Sequence, residues 1–287
     1  MSDTLDELSV ATKLLHSTVR IECKDAQGAI SSGTGFNFSF EFDDFLVPAI
    51  ITNRHVFQGA IQSDFHYTMA DAQGRSTGRH ERFSIYDFGK AWIDHPDPDV
   101  DLALLPTQPL FEQLEKVGRR PFYINLSQGI IASPEMLSTL DAIEEITMIG
   151  YPNGLWDDVN NLPIVRRGIT ATSAAREYRG KKQFLIDAAC FPGSSGSPVF
   201  IYNSGSFSGL HLGTRLTLIG VLFAGHMHTA VGEIKVVPIP TATLPVPVSQ
   251  IPNNLGICIH ASRILDFIPA LTKRVAVGPR TPTKVGS

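Results

Sequence analysis

Short apolar runs bounded by turn residues are the feature that most limits how this chain can fold. The runs are too short for long helices and are rich in Val, Ile and Leu, which favour strands. Gly, Pro, Asn and Asp separate the runs and mark turns. The clearest runs are Thr18 to Cys23, Ala49 to Ile51, Leu102 to Leu105, Ile146 to Ile149, Phe184 to Ile186, Val199 to Tyr202 and Leu218 to Leu222. This pattern predicts an all-β barrel or sandwich.

Helical periodicity is confined to the two ends of the chain. Residues 5–15 predict an N-terminal helix, and Ser262 is placed to cap a helix over 263–271, although Pro269 disfavours its last turn. Prolines among weak patterns mark 107–145 as a connector between two β units. The predicted units are a helical extension (1–16), an N-terminal β unit (17–106), the connector (107–145), a C-terminal β unit with the last helix (146–272) and a disordered tail (273–287).

Composition disfavours several classes of protein. The 287 residues include 24 Lys and Arg against 28 Asp and Glu, and this net charge of -4 disfavours a nucleic-acid partner. No apolar stretch approaches the roughly 20 residues of a membrane span, and the acidic start MSDTLDELSV differs from a secretory signal. We therefore expect a cytoplasmic protein that does not enter a membrane. Three widely spaced cysteines, Cys23, Cys190 and Cys258, fit a reducing compartment better than a disulfide framework.

A serine in a glycine-flanked turn is the first feature that indicates chemistry. Ser195 lies in the segment Phe191 to Val199, which reads FPGSSGSPV. A hydroxyl becomes a nucleophile only when a base removes its proton and nearby N–H groups receive the oxyanion. The backbone N–H groups of Gly193 and Ser195 can both point inward from such a turn. Ser195 is therefore a candidate nucleophile, although a purely structural Gly/Ser hairpin has the same pattern.

A histidine and an aspartate lie at the ends of two predicted strands. His55 follows an apolar strand and a polar triplet, where a base would have rigid support and face a cleft. A lone histidine at such a place is more often a surface or core residue. Asp101 leads directly into an apolar strand, so it can be buried against an imidazole and fix its tautomer. Asp99 and Asp97 are the local alternatives for that role.

Together, His55, Asp101 and Ser195 occur in the chain order used by the chymotrypsin fold. With these residues the sequence resembles the trypsin-like serine peptidases, most closely the bacterial HtrA-type proteases and the glutamyl endopeptidases. The resemblance spans about residues 17 to 271. It rests on Gly33-Thr34-Gly35-Phe36, Thr52-Asn53-Arg54-His55-Val56, Asp101-Leu102-Ala103-Leu104, Gly150-Tyr151-Pro152, Asp187-Ala188-Ala189 and Gly193-Ser194-Ser195-Gly196-Ser197-Pro198-Val199.

The resemblance implies two antiparallel six-stranded β-barrels, a site in the cleft between them and a C-terminal helix. It implies an intracellular serine endopeptidase in which Ser195 attacks the peptide carbonyl, His55 is base and then acid, and Asp101 orients His55. The N–H groups of Gly193 and Ser195 would form the oxyanion hole. No metal or cofactor is expected, and the expected partners are a protein or peptide substrate and a regulatory protein. The alternative is a catalytically silent protease-fold module that binds a peptide or partner protein.

The sequence departs from the family in two ways. Animal members carry an aspartate just before the nucleophile, which pairs with a new N-terminus after zymogen cleavage, and this residue is Ser194 here. Activation through that ion pair is therefore not expected. HtrA proteins continue into a PDZ domain, and no such domain is expected after the last predicted helix.

The resemblance also locates a pocket for the substrate side chain. Its lining would be Ala189, Cys190, Gly225, Gly256 and Cys258. The absence of an aspartate at the pocket base disfavours selection of Arg or Lys, and Leu222 stands where glutamyl endopeptidases carry a histidine. An apolar pocket for uncharged side chains is therefore predicted. His226 is close enough to Gly225 to keep selection of glutamate open.

Two further features have more than one interpretation. His226 and His228 alternate along the chain and, with His211 or His260, have the spacing of metal ligands, although two loop histidines are the more ordinary interpretation. The segment Val236 to Pro252 contains five prolines and predicts a long extended loop. That loop is either a lid beside the substrate cleft or a cover for barrel surface.

Overall fold

The computed structural model describes residue 4 and residues 7–43, 45–86, 88, 91–207, 211–231 and 248–277. These residues form two β structures, one from each half of the chain, and several short helices. No helix in these ranges has the length and apolar character needed to cross a membrane.

The N-terminal half forms a nine-stranded sheet. Its strands are β1 (Thr18–Asp25), β2 (Ile30–Phe42), β3 (Phe45–Thr52), β4 (Ala60–Ala70), β5 (Ser76–Tyr86), β6 (Ile93–Asp94), β7 (Ala103–Pro106), β8 (Pro121–Phe122) and β9 (Leu126–Ser127). The order is β5-β4-β1-β2-β3-β7-β6, with β8 beside β4 and β9 beside β2. The prediction of a closed six-stranded barrel is wrong for this half. The edge strand β6 has two residues and pairs only with β7, so it does not connect to β5 at the other edge.

The C-terminal half forms a closed antiparallel barrel of six strands, as predicted. Its strands are β10 (Glu145–Gly150), β11 (Ile164–Thr170), β12 (Gln183–Asp187), β13 (Pro198–Phe207), β14 (His211–Val231) and β15 (Val248–His260). They close in the order β10-β11-β12-β15-β14-β13. The mostly β architecture with a chymotrypsin-like second barrel is therefore confirmed.

Five short α-helices accompany the strands in the described part of the chain. They are α1 (Val10–Leu15), α2 (Arg54–Phe57), α3 (Gln108–Lys116), α4 (Pro134–Ser138) and α5 (Ile268–Val277). α1 is shorter than predicted because Ser9 caps it, its hydroxyl accepting from the Thr12 N–H at 3.2 Å. The C-terminal helix is confirmed, but 263–267 belong to a 3₁₀ helix, Ala261–Phe267. Pro269 then lies in the first turn of α5, where its missing N–H costs no hydrogen bond.

The predicted connector and the predicted C-terminal tail both contain regular secondary structure. The connector 107–145 contains α3, α4, β8 and β9, and its boundaries stay a prediction. Of the predicted tail, residues 273–277 belong to α5, while 278–287 lie outside the described residues.

Among the described residues, the core of the protein consists of three apolar clusters, one of which joins the two halves. One lies within the N-terminal sheet and includes Val19, Ile21, Ile50, Phe65 and Leu105. A second fills the barrel and includes Met148, Phe184, Ile186, Val199 and Cys258. The third joins the two, packing Phe36, Phe38 and Phe40 of β2 against Phe200 and Val221 of the barrel. Residues 33–40 of β2 are therefore buried on both faces of the strand.

We predict that this joint core carries much of the stability. Phe38→Ala should lower the free energy of unfolding by about 3–5 kcal/mol, because Phe38 is fully buried between the halves. Ile30→Ala on the same strand, where the side chain is 72% exposed, should change it by less than about 0.5 kcal/mol. Urea unfolding of both variants measures the difference. Equal losses would contradict the assignment of the core.

Candidate active site

His55 lies in a single helical turn at the end of a buried strand. β3 ends at Thr52, Asn53 leads into α2, and Val56 and Phe57 pack into the core of the N-terminal sheet. The His55 side chain is 44% exposed. The backbone is therefore anchored while the imidazole stays accessible to solvent.

Asp101 contacts His55 through both carboxylate oxygens. One accepts from the His55 backbone N–H at 3.0 Å, and the other lies 2.5 Å from Nδ1. Because an ionised carboxylate only accepts, Nδ1 carries the proton in this pair, and in the neutral imidazole the lone pair is then on Nε2. The Asn53 amide donates to the Asp101 carbonyl at 2.8 Å, which fixes the start of β7 beside the His55 turn.

The pKa of Asp101 lies below its usual range. Burial raises this pKa, but the hydrogen bonds and charge of His55, with a smaller effect of Arg54, lower it by more. The pKa in the folded chain is therefore below that in the unfolded chain. The ionised carboxylate stabilises the fold above the unfolded pKa, and this stabilisation is lost as the pH falls through the folded value.

The two alternative aspartates do not contact His55. The Asp97 carboxylate lies 2.6 Å from the Arg263 guanidinium and accepts from the Asp99 N–H at 3.0 Å. Asp99 is exposed. Of the three carboxylates, Asp101 is the one that meets the predicted base.

Thr34, buried in β2, holds the loop that carries Ser195. Its N–H donates to the Ser195 carbonyl at 2.9 Å, and its hydroxyl donates to the Gly193 carbonyl at 3.0 Å. The same hydroxyl accepts from the Tyr151 N–H at 3.0 Å. The Thr52 hydroxyl donates to the Thr34 carbonyl at 2.6 Å. These bonds place the Ser195 loop beside the end of β3.

Gly196 permits this close approach. It has a φ of 88°, and a Cβ there would lie 1.9 Å from the Thr34 carbonyl oxygen and 2.5 Å from the Thr52 hydroxyl oxygen. Any larger residue would push the Ser195 loop away from β3.

Two N–H groups of the loop, those of Gly193 and Ser195, have no partner among the described residues. The Pro192 carbonyl, which precedes the Gly193 N–H, accepts from the Asn153 N–H at 2.5 Å. The Ser194 carbonyl, which precedes the Ser195 N–H, accepts from the Ser197 N–H at 3.0 Å. The C=O and N–H of a trans peptide point to opposite sides, so each bond turns the following N–H away from the loop. Two free N–H groups fixed in this way can stabilise an oxyanion.

The Ser195 hydroxyl makes no hydrogen bond to any described residue, His55 included. Such contacts are often long in unliganded sites and shorten when substrate binds. The structure thus brings His55 and Asp101 together directly and holds the Ser195 loop at the same edge through Thr34 and Thr52.

The predicted pocket residues lie together at one edge of the barrel. Gly225 and Gly256 pair across β14 and β15. A Cβ at Gly256 would lie 2.6 Å from the Cys190 sulfur, and one at Gly225 would lie 3.9 Å from the Cys190 Cβ. Burial raises the pKa of Cys190 to about 11 and that of Cys258 well above its usual value, so both thiols are neutral. Ala189 is partly buried next to Cys190.

Arg166 adds a positive charge that the sequence analysis did not predict. It lies opposite Met148, a core residue of the barrel, so its side chain lies on the inner face of β11. Its guanidinium carbon lies 5.0 Å from the centre of the Phe191 ring, and its charge partly offsets the rise in the Cys190 pKa. In the sequence Arg166 is no different from Arg167, and only the register shows which of the two faces inward.

Several predictions fall on undescribed residues. The side chains of His211, His226 and His228 lie outside the described part of the chain, as does most of the predicted lid, 236–247. Its last residues, 248–252, begin β15. No three or more His, Cys, Asp or Glu side chains within the described ranges are placed to hold a metal.

Comparison with known proteins gives one family and a set of similar folds. The sequence model of the trypsin-like peptidase domain matches residues 33–210, more than half of the chain. No curated protein sequence matches significantly. The product complex of tobacco etch virus protease superposes with a TM-score of 0.50 at 13% identity, over 94% of this chain and 82% of the viral one.

Two further solved structures are similar over most of their length. The active form of the Rv3671c protease from M. tuberculosis has a TM-score of 0.44 and 16% identity, over 99% of this chain and 90% of the other. The thermostable serine protease AL20 from an extremophilic microorganism has a TM-score of 0.46 and 15% identity, over 90% of this chain and 98% of the other. At such identities a likeness concerns the fold alone.

We predict that the Thr34 hydroxyl is needed to order the Ser195 loop. Thr34→Val should lower the free energy of unfolding by about 1–3 kcal/mol for each buried group left unpaired, the Gly193 carbonyl and the Tyr151 N–H. Thr34→Ser keeps the hydroxyl and should lose only the small contribution of a methyl group. Urea unfolding compares the two, and equal stabilities would show that these hydrogen bonds are not important.

Proposed function

The chain belongs to the trypsin-like peptidase family, and on that basis we propose that it is a serine endopeptidase acting through Ser195, His55 and Asp101. The observation that carries the proposal is the contact of 2.5 Å between His55 Nδ1 and the Asp101 carboxylate. A closer relation to the HtrA-type and glutamyl endopeptidase branches stays a prediction.

In the proposed reaction His55 Nε2 accepts the Ser195 hydroxyl proton as the serine oxygen attacks the peptide carbonyl. The resulting imidazolium is stabilised by Asp101, which is already ionised and already bound to Nδ1. His55 then gives the proton to the leaving amine. An acyl-enzyme forms at Ser195, and a water activated by the same histidine releases it.

The N–H groups of Gly193 and Ser195 receive the negative charge of the tetrahedral intermediate in this proposal. Support comes from the bound carbonyls that precede them, which aim both donors before substrate arrives. Donors fixed in advance need no reorganisation during the reaction. One such donor is typically worth about 10²–10³ in rate.

Order in this loop does not require a zymogen ion pair. Ser194 is 1% exposed, and its hydroxyl has no partner among the described residues. The bonds from Thr34 and Asn153 hold the neighbouring carbonyls instead. We therefore propose that the intact chain is competent without N-terminal cleavage.

A reducing compartment, such as the cytoplasm, is proposed from the cysteines. All three are free and buried, and burial raises the pKa of Cys23 to about 11. The thiols are therefore protonated and poorly reactive at neutral pH. A protein or peptide substrate, with a regulatory protein as a further partner, stays a prediction.

We predict that the three proposed catalytic residues act as one unit. Ser195→Ala and His55→Ala should each lower peptide hydrolysis by about 10⁶-fold, and Asp101→Asn by about 10⁴-fold. Hydrolysis of a peptide library and labelling of Ser195 by a fluorophosphonate measure this. Asp99→Asn, an exposed carboxylate that does not contact His55, is the matched control and should keep full activity.

Two results would contradict that prediction. Turnover retained by purified Ser195→Ala would reject the serine mechanism. A folded wild-type chain that neither cleaves peptides nor reacts with the probe would favour the silent, peptide-binding module, in keeping with the unbonded Ser195 hydroxyl.

We further predict that the pocket selects uncharged side chains at the cleaved position. Its predicted lining includes two glycines and the neutral Cys190 thiol, while Cys258 is fully buried in the barrel core, and such a lining favours an aliphatic or aromatic group. Cleavage-site profiling of a peptide library measures this preference. A profile dominated by Arg, Lys or Glu would contradict the prediction. If the profile is acidic, loss of that preference in Arg166→Met would assign it to Arg166 rather than to His226.

A further inference from the structure

The loop between β10 and β11 connects the proposed oxyanion site to the N-terminal sheet. It begins with the 3₁₀ turn Pro152–Gly154, in which the Asn153 N–H donates to the Pro192 carbonyl at 2.5 Å. Asn153 has a φ of 52°, in the left-handed region, which asparagine adopts more readily than most residues other than glycine. This turn is only three residues long, so the direction of the Asn153 N–H depends on how the following residues of the loop are held.

The following residues of the loop are fixed on the N-terminal sheet through Trp156. The centre of its ring lies 5.0 Å from the His66 ring and 5.2 Å from the His80 ring, both edge-on. The Arg20 guanidinium carbon lies over the indole at 5.0 Å, a cation–π contact. We call Arg20, His66, His80 and Trp156 the Trp156 clamp.

Polar contacts fix the same part of the loop. His80 Nε2 lies 2.9 Å from the Asp158 carbonyl oxygen and donates to it. The amide of Asn161, which is buried, donates to the Thr68 hydroxyl at 3.1 Å. The loop is therefore bound to the sheet at several points beyond the turn.

Glu22 orients two members of the clamp. Its carboxylate lies 3.0 Å from His66 Nε2 and 2.8 Å from the Arg20 guanidinium. The hydrogen bond from His66, with Arg20, lowers the pKa of Glu22 to about 2 despite its burial. The carboxylate is therefore ionised at neutral pH and holds both partners against the indole.

We propose that Trp156 is a positioning residue for the oxyanion site. The clamp holds the loop, the loop holds the Asn153 N–H on the Pro192 carbonyl, and this bond keeps the Gly193 N–H directed at the substrate carbonyl oxygen. The inference rests on the proposed peptidase function, because it concerns how the Gly193 N–H of the proposed oxyanion site is held in place. Among the described residues, none of the ring contacts of Trp156 involves a proposed catalytic residue.

Release of the clamp should affect catalysis more than substrate binding. A freed loop lets the Pro192–Gly193 peptide rotate and present a carbonyl oxygen where the N–H is needed. Complete loss of one such donor costs about 10²–10³ in kcat. A partial population of the rotated peptide should therefore cost about tenfold or more, with little change in KM, because the donor acts mainly on the transition state.

The test compares Trp156→Ala, Trp156→Phe and Val159→Ala in the full chain. Val159 belongs to the same loop and is 74% exposed, so its variant is the matched control. Hydrolysis of a chromogenic peptide amide should show a loss in kcat of about tenfold or more for Trp156→Ala, with KM within about threefold. Trp156→Phe keeps an aromatic ring in the clamp and should recover most of kcat, and Val159→Ala should match the wild type.

A peptide boronic acid gives a second measurement. It forms a tetrahedral adduct that needs both oxyanion donors, so it should bind Trp156→Ala about tenfold or more weakly than the wild type. If urea unfolding shows that Trp156→Ala is not folded, His80→Ala replaces it. His80→Ala removes one side of the clamp and the bond to the Asp158 carbonyl, and it should lower kcat at unchanged KM.

The outcomes separate this inference from the peptidase proposal. A folded clamp variant with the kcat and boronic acid affinity of the wild type would overturn the role of Trp156 and leave the peptidase proposal standing. The role of Trp156 would also be overturned if Trp156→Ala changed only KM, or if Trp156→Phe recovered none of the lost kcat. A wild-type chain without peptidase activity and without fluorophosphonate labelling would overturn both.

Discussion

Thr34 belongs to the N-terminal sheet, yet it binds the carbonyls of Gly193 and Ser195, which belong to the barrel half of the chain. It is completely buried, and β2 around it packs on both faces, so the position of its N–H and hydroxyl is fixed by the two cores. Buried hydrogen-bonding groups are costly to leave unpaired. The loop of Ser195 therefore takes the one conformation that satisfies them, and the proposed oxyanion donors follow from that conformation.

The N-terminal sheet supports this loop from two directions. Thr34 of β2 binds the Ser195 loop directly. Trp156 contacts β1, β4 and β5 and so holds the neighbouring loop, in which the Asn153 N–H donates to the Pro192 carbonyl. Hydrogen bonds to a rigid sheet can thus supply the order that an ion pair supplies in animal members of the family. The buried hydroxyl of Ser194 has no partner among the described residues, and it is compatible with such a loop because nothing there requires a charge.

Sequence predicted best those elements whose apolar runs are continuous. β10 and β12 are buried along most of their length and β1 and β3 along half of theirs, and their apolar residues are visible in the sequence. β5 has a single buried residue, Phe83, so its mostly polar sequence has no apolar pattern that predicts a strand. The open edge at β6 could not be predicted, because closure depends on strand lengths rather than on apolar pattern.

The contacts of the candidate site also differ in how far the sequence could predict them. The contact of His55 with Asp101 was predictable because each adjoins a buried strand, and those strands are neighbours in the sheet. The bond from Thr34 to the Gly193 carbonyl joins residues 159 positions apart, and its existence depends on how two cores fit together. Arg166 was missed for a related reason, since the register with Met148 decides which face it occupies.

The division of the site between the two halves of the chain has a consequence for biosynthesis. His55 and Asp101 belong to the half that leaves the ribosome first, while Ser195 and the strands that complete its barrel follow later. At about 5–20 residues per second, translation separates them by on the order of ten seconds. Under the proposed mechanism the nascent N-terminal half therefore has no nucleophile beside it while it folds. The proposed nucleophile lies on a loop bound by Thr34 of the N-terminal sheet, so it becomes aligned only after that sheet has formed.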